Sequence, residues 1–200
     1  VSFGLENPLK PLITQLSKMP GVGQKSAQRL AFFFLGLPQK EVQDFAETLV
    51  QTRSSIRYCK ICFNIATEVQ CHICTDAKRI TTQLCVVSEP KDIFAIERTL
   101  SYKGLYHVLG GVISPIDGIH PESLRIAELI KRLQAGGVEE IVLAINPTIE
   151  GEATVLYLTQ ILNAFPITKS KLAYGLPVGS DMDYADELTL RKSLAGRTPL

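Results

Sequence analysis

The chain predicts an α/β domain with a mainly parallel sheet, preceded by a small helical domain. Three observations predict it. From residue 84 onward, short apolar runs alternate with amphipathic ones in a strand–helix rhythm. Before residue 58 only helical periodicities occur, interrupted by one glycine turn. Between the two halves, four cysteines fall in tight pairs, Cys59-Lys60-Ile61-Cys62 and Cys71-His72-Ile73-Cys74.

In the front half, Leu9, Leu12, Ile13 and Leu16 recur at helical spacing, which predicts a helix over 8–18. Met19-Pro20-Gly21-Val22-Gly23 then breaks it. A second helix is predicted from Gln24 to Leu35, with Ala27, Leu30, Ala31 and Phe34 on one face, and a third over 41–57, with Val42, Phe45, Leu49 and Val50 apolar. The glycine turn leaves backbone N–H groups free at the start of the second helix, where the helix dipole is positive. Such a terminus suits phosphate. Lys25 and Arg29 sit four apart and share a helical face near it. The segment is not a P-loop, because Leu16 stands where that motif needs its first glycine. It is not a dinucleotide fingerprint either, because Ser26 takes the third glycine position. Leu16…Pro20-Gly21-Val22-Gly23…Lys25…Ala27…Arg29-Leu30 resembles a helix-hairpin-helix, a module that grips the nucleic acid backbone without reading bases. That makes Gly21, Gly23, Lys25 and Arg29 the candidate DNA-binding residues. A plain turn between packed helices is the competing reading. Residues 1–58 are near the lower limit for independent folding, so a neighbouring zinc staple or oligomerisation is physically sensible.

Two residues separate the sulfurs within each cysteine pair, and residues 63–70 separate the pairs. This spacing fits one tetrahedral zinc ion held by Cys59, Cys62, Cys71 and Cys74, with Zn–S bonds of about 2.3 Å. Four thiolates leave no open coordination position, so the zinc is expected to be structural. His72 is then a bystander. Lys60 and Arg57 flank the first pair and are expected to favour thiolates. Cys85 lies in the apolar run Leu84-Cys85-Val86-Val87 and is expected to be a buried small hydrophobe.

The back half predicts strands at 84–87, 106–109, 141–145 and 171–174, and helices at 90–100, 121–134 and 152–163. Function in such sheets lies at the carboxyl ends of strands. There the chain offers Ser88-Glu89, Gly110-Gly111 and Asn146-Pro147. A metal-dependent nuclease, primase or topoisomerase would need clustered carboxylates at those ends. Only Glu89, Glu150 and Glu152 are available, and the last two fall at a helix start, where acidic residues suit the dipole.

Composition bounds the rest. The 200 residues are 46% hydrophobic with net charge +1. Residues 1–80 carry 10 Lys/Arg against 6 Asp/Glu, and residues 81–200 carry 11 against 14. This asymmetry suggests that any polyanion binds at the front, but ordinary surface-charge scatter is the competing reading and, on this count alone, the favoured one. No run reaches the roughly 20 apolar residues of a membrane span. The start, Val1-Ser2-Phe3-Gly4, lacks a signal-peptide pattern. Five cysteines, four at metal spacing, fit a reducing compartment, and the cytoplasm is the expected address.

Assembled in order, these segments resemble the RecR family of bacterial recombination mediators, from about residue 7 to residue 199. The resemblance also rests on Tyr106-His107-Val108-Leu109-Gly110-Gly111 with Ser114-Pro115-Ile116-Asp117-Gly118, on Asn146-Pro147-Thr148-Ile149-Glu150-Gly151-Glu152-Ala153-Thr154, and on Gly175-Leu176-Pro177-Val178-Gly179. It implies a helix-hairpin-helix region at 1–58, a four-cysteine zinc motif at 59–74, a Toprim-like α/β domain at 82–178 and a C-terminal oligomerisation segment at 179–200. It implies a non-catalytic DNA-binding factor of the RecF–RecO–RecR type that helps load RecA recombinase onto single-stranded DNA. DNA, RecO-type and RecF-type proteins and further copies of the chain in a ring tetramer are the implied partners, with a nucleoid-associated address. A Toprim-type metal-dependent nuclease or strand-passing enzyme is the alternative. The sequence departs from the family at Ser88, where an acidic residue is common, and at Ser180 and Asp183 in the Walker-B-like segment Ser180–Asp186.

Overall fold

The computed structural model describes residues 7–198. The start at Val1–Gly4, read above for a signal peptide, lies outside the described residues. The chain divides into two units, Val1–Ile56 and Arg57–Leu200.

The front unit holds α1 (Lys10–Leu16), α2 (Gln24–Gly36) and α3 (Gln39–Ser55). Leu16, Ala27 and Ala31 form its small buried cluster, with Ile13, Val22, Leu30 and Phe34 packed around them. Small alanines on α2 let α1 approach closely. Pro38 holds Leu37 extended and so ends α2, then serves as the N-cap of α3. The expected third helix is present and begins two residues early. Its apolar stripe, however, is largely exposed among the described residues: Phe45, Leu49 and Val50 are all more than half exposed, although the Phe34 ring lies 5.2 Å from that of Phe45. Phe32, Phe33 and Leu35 on α2 are exposed as well.

The second unit opens with a two-strand hairpin, β1 (Arg57–Tyr58) and β2 (Ile65–Ala66), then the short α4 (His72–Thr75). Next come β3 (Ile80–Val87), α5 (Pro90–Glu97), β4 (Gly104–Val108), α6 (Ile126–Gln134), β5 (Glu140–Ala144), α7 (Ile149–Leu162), β6 (Thr168–Lys171) and α8 (Glu187–Ala195). The sheet runs β4-β3-β5-β6 and every pairing is parallel. Apolar β3 lies inside the sheet, as its continuous run requires, and turns from exposed to fully buried along its length. One face carries Leu84, Val86, Leu109, Leu129, Leu133, Ile141, Leu143, Leu158 and Leu162. The other joins Cys85, Val87, Tyr106 and Val108 to Cys59, Cys62, Cys71 and Ile73. The cysteine segment and the sheet therefore share one core.

Two expectations change. The last strand is the polar Thr168–Lys171 rather than the apolar 171–174 run. It is an edge strand, so backbone pairing to β5 suffices and its side chains stay wet. The helix expected over 121–134 splits into a 3-10 turn at Pro121–Ser123 and α6, because the Arg125 amide donates to Leu109 O (2.9 Å) and breaks the run.

Candidate nucleic-acid interface and zinc centre

The glycine turn is built as its residues require. The Val22 amide closes a turn onto Met19 O at 3.0 Å, with Pro20 and Gly21 at the centre. Gly21 has φ +76°, a left-handed conformation that side-chain-bearing residues resist. Gly23 is the N-cap of α2 and supplies no side-chain cap. The first intrahelical bond back to it comes from Ala27 (2.9 Å), so the amides ahead of Ala27 have no helical acceptor. A Cβ at Gly21 or Gly23 would meet nothing within 4 Å, so this backbone is open to a ligand.

Lys25 and Arg29 are both exposed. Among the described residues no carboxylate lies within 4.0 Å of either. Their four-residue spacing does not bring them into one groove. Lys25 lines a groove of about 380 Å³ with Lys10, Thr14, Gln24 and Gln28. Arg29 lines the neighbouring one with Ser26, Leu30 and Phe33. Lys10 escaped the sequence reading because it lies on the preceding helix, and only the packing of α1 on α2 brings it to Lys25.

The ligand atoms of Cys59, Cys62, Cys71 and Cys74 all lie within 4.8 Å of one another. A tetrahedral zinc–tetrathiolate centre needs sulfurs at about this separation. The hairpin explains the convergence. The Cys59 amide bonds Asn64 O (2.7 Å), Phe63 adopts φ +62° to close the loop, and the Lys60 amide bonds Val69 O (3.0 Å). Buried Asn64 turns its Oδ1 to the Ile65 amide at 2.8 Å. Amides of Ile61 (3.5 Å) and Cys71 (3.4 Å) point at Cys59 Sγ. Hydrogen bonds among the crowded sulfurs lower the Cys71 thiol and raise the Cys62 thiol, so the quartet shares protons until a cation displaces them. Cys59, Cys62 and Cys71 are buried and Cys74 half-buried, so the centre is a closed structural one. His72 and Cys85 stand outside the quartet. Burial pushes the Cys85 thiol up to about 12, consistent with a packing role. Arg57 and Lys60 are exposed, which limits their effect on the buried sulfurs.

At the carboxyl ends of the strands the acidic residues are engaged locally. Glu89 forms a capping box with Asp92 at the start of α5 and an ion pair with Lys91. Glu152 accepts from Tyr174 and from Lys192 (3.0 Å), with Lys171 at 3.8 Å. These contacts, Tyr174 first, hold its carboxyl below the usual range. Glu150 lies in the first turn of α7, behind the Thr148 cap. Among the described residues the cysteine quartet is the one group of three or more potential ligands whose atoms converge. In the segment Ser180–Asp186, Asp181 caps a 3-10 turn and Asp186 caps α8. No described helix is long and apolar enough to cross a membrane.

A family model described as a Toprim domain matches residues 82–173. The fold and site thus define a Toprim-domain protein carrying a helical front unit and a closed four-cysteine zinc centre. Models described as the RecR helix-hairpin-helix, the RecR four-cysteine zinc finger domain and the RecR C-terminal region match residues 9–53, 56–76 and 175–198. A "Recombination protein RecR" of Acidothermus cellulolyticus is 51% identical over 195 residues, covering 98% of each chain. One of Tropheryma whipplei is 51% identical over 189 residues, covering 94% of this chain and 96% of that protein. One of Bifidobacterium longum subsp. infantis is 46% identical over 197 residues, covering 98% of each. The chain belongs to the RecR family.

Proposed function

We propose that this chain is a non-catalytic DNA-binding mediator of recombinational repair. It grips the phosphate backbone through the glycine turn and helps load a RecA-type recombinase onto single-stranded DNA. The observation that carries this reading is the open, uncapped start of α2 beside two exposed cations. The free backbone N–H groups of Gly21 and of residues 23–26 meet phosphate oxygens, and Lys25 and Arg29 neutralise the charge. Contacts of this type position a protein on nucleic acid and carry no sequence information.

The α/β domain acts by binding rather than by cutting. Glu89 is held as a helix cap and ion-pair partner and Glu152 as an ion-pair partner, Glu150 sits in the first turn of α7 where the helix dipole favours it, and Ser88 stands at the end of β3 where a metal site would want a carboxylate. RecO-type and RecF-type proteins are its partners, and the nucleoid is its place of work.

Residues 1–58 serve as the DNA-binding region, 59–74 as the zinc motif, 82–178 as the Toprim-like domain and 179–200 as an oligomerisation segment. The largely exposed apolar stripe of α3 supports assembly into a ring tetramer. Assembly gathers several weak phosphate contacts onto one DNA strand and multiplies their avidity, which answers how a chain of net charge +1 binds a polyanion.

The test is the double variant Lys25→Ala/Arg29→Ala. Fluorescence anisotropy with an oligonucleotide should show binding lost at moderate salt, while light scattering shows an unchanged assembly. Unchanged DNA affinity overturns the reading. Magnesium-dependent cleavage lost in Glu89→Gln would favour the nuclease instead.

A further inference from the structure

The zinc hairpin is joined to the sheet at one place that backbone geometry defines. β4 is an edge strand, so alternate residues turn their N–H and C=O groups away from β3. At the start of the strand Gly104 O accepts from Arg79 Nη1 at 3.4 Å, and two further outward groups are occupied near its end. The Val108 amide donates to Cys62 O at 2.8 Å. Two residues earlier, Tyr106 O accepts from Arg132 Nη1 at 2.7 Å. The Arg132 guanidinium and the zinc hairpin therefore sit side by side along the same strand edge.

Neither group is electrostatically complete alone. Four thiolates around Zn²⁺ carry a net charge of −2, and three of these cysteines are buried. Two backbone amides approach Cys59 Sγ. The Cys62 sulfur is paired with that of Cys71, at 3.5 Å. Arg132, for its part, is half-buried. It places one hydrogen bond on a neutral carbonyl, and among the described residues no carboxylate lies within 4.0 Å of it. Burial lowers its pKa, and the Cys74, Cys62 and Cys59 sulfurs oppose that shift. The other arginine at this junction is committed to aromatic faces, with Arg125 Cζ 4.3 Å from the Phe63 ring centroid and 5.2 Å from that of Tyr58.

We propose that Arg132 is the counter-charge of the zinc–thiolate centre, a positioning residue that holds zinc in the hairpin and ties the centre to the edge of the sheet. Partners of this kind tune metal affinity by about 10–100-fold when removed. Arg57 and Lys60 are nearer in sequence, but both are exposed.

The test uses the full zinc-loaded chain and the variants Arg132→Met and Arg132→Lys. Zinc affinity and release rate are read by competition with a chromogenic chelator. Arg132→Met should bind zinc at least about tenfold more weakly. Arg132→Lys keeps the charge and should stay within about threefold of wild type. With cobalt in place of zinc, the sulfur-to-metal absorption of the Met variant should still report four thiolates. The loss of stability in Arg132→Met should also shrink when zinc is stripped from both proteins. Equal zinc affinity in Arg132→Met and wild type overturns the proposal. So does a stability difference that is the same with and without zinc. If Arg132→Met does not accumulate folded, a folded Arg132→Lys chain that binds zinc about tenfold more weakly overturns it.

Discussion

Replacing Gly151 by alanine should destabilise the α/β unit even though it places a better helix former in a helix. A Cβ at Gly151 would lie 1.9 Å from Asn146 O and 3.2 Å from Asn146 C. That is roughly 1 Å short of the closest approach real Cβ atoms make, and the obstacle is backbone, so no rotamer change relieves it. The close approach has a purpose. It lets α7 begin directly behind the Asn146-Pro147-Thr148 loop, where Thr148 Oγ1 accepts the Gly151 amide at 3.0 Å. Overpacking of this kind costs about 1–3 kcal/mol, or more where the backbone must move. Alanine's better helix propensity returns at most about 1 kcal/mol. Because the obstacle is backbone, the upper end of that range applies, and the clash wins by about 2 kcal/mol. For a unit of this size that is a fall of about 6 °C in the unfolding midpoint. The assay is thermal unfolding by circular dichroism, with Ala153→Gly on the exposed face of the same helix as control. The control should lose only the propensity difference, about 1 kcal/mol. A Gly151→Ala chain as stable as wild type would refute the close-approach reasoning.

Two further predictions rest on charge. Glu97 accepts hydrogen bonds from Arg79 and Tyr106, and the Arg79 bond, the larger cause, holds its carboxyl below the ordinary 4.5. A depressed folded-state pKa gives stability that is present above about pH 4.5 and lost as pH falls through the folded value. Glu97→Gln should therefore cost about 2 kcal/mol at neutral pH and much less in acid, read by urea unfolding across pH; an equal cost at pH 7 and pH 3 would contradict this. Lys25 and Arg29 each neutralise one phosphate in the proposed complex, so the slope of log K against log salt on single-stranded DNA should flatten by about 1.4 per engaged chain in Lys25→Ala/Arg29→Ala. An unchanged slope would place the phosphate contacts elsewhere.

Much of the molecule was legible in the sequence where local chemistry decides it. The cysteine quartet could be read from spacing alone, because two CxxC pairs converge through short-range hairpin bonds. The glycine turn was readable because Pro20 and Gly21 demand it. β6 was misplaced because an edge strand needs no apolar signal. The stripe on α3 was read correctly as apolar, but the pattern does not reveal that it stays largely exposed among the described residues, with only the Phe45 end meeting an aromatic neighbour, the Phe34 ring at 5.2 Å. Lys10 and Arg132 carry no local signal at all. Each matters only through packing, Lys10 through the α1–α2 contact and Arg132 through the outward-facing groups of β4. Glu89 offers a carboxylate at a strand end, and the structure uses it as a helix cap; Asp181 and Asp186 of the Walker-B-like segment are caps as well. Ser88 remains a buried hydroxyl whose Oγ has no partner, and nothing in the fold accounts for it.

The central claim is that DNA meets the backbone at the start of α2. The most direct measurement is NMR mapping of amide shifts on isotopically labelled protein as a single-stranded oligonucleotide is added. The account predicts the largest perturbations at the amides of Gly21 to Ser26 and along the Lys25–Arg29 face, with the Asn146–Glu152 segment little changed. Perturbations concentrated at Ser88, Glu89 and Asn146–Glu152, with the glycine turn silent, would contradict it.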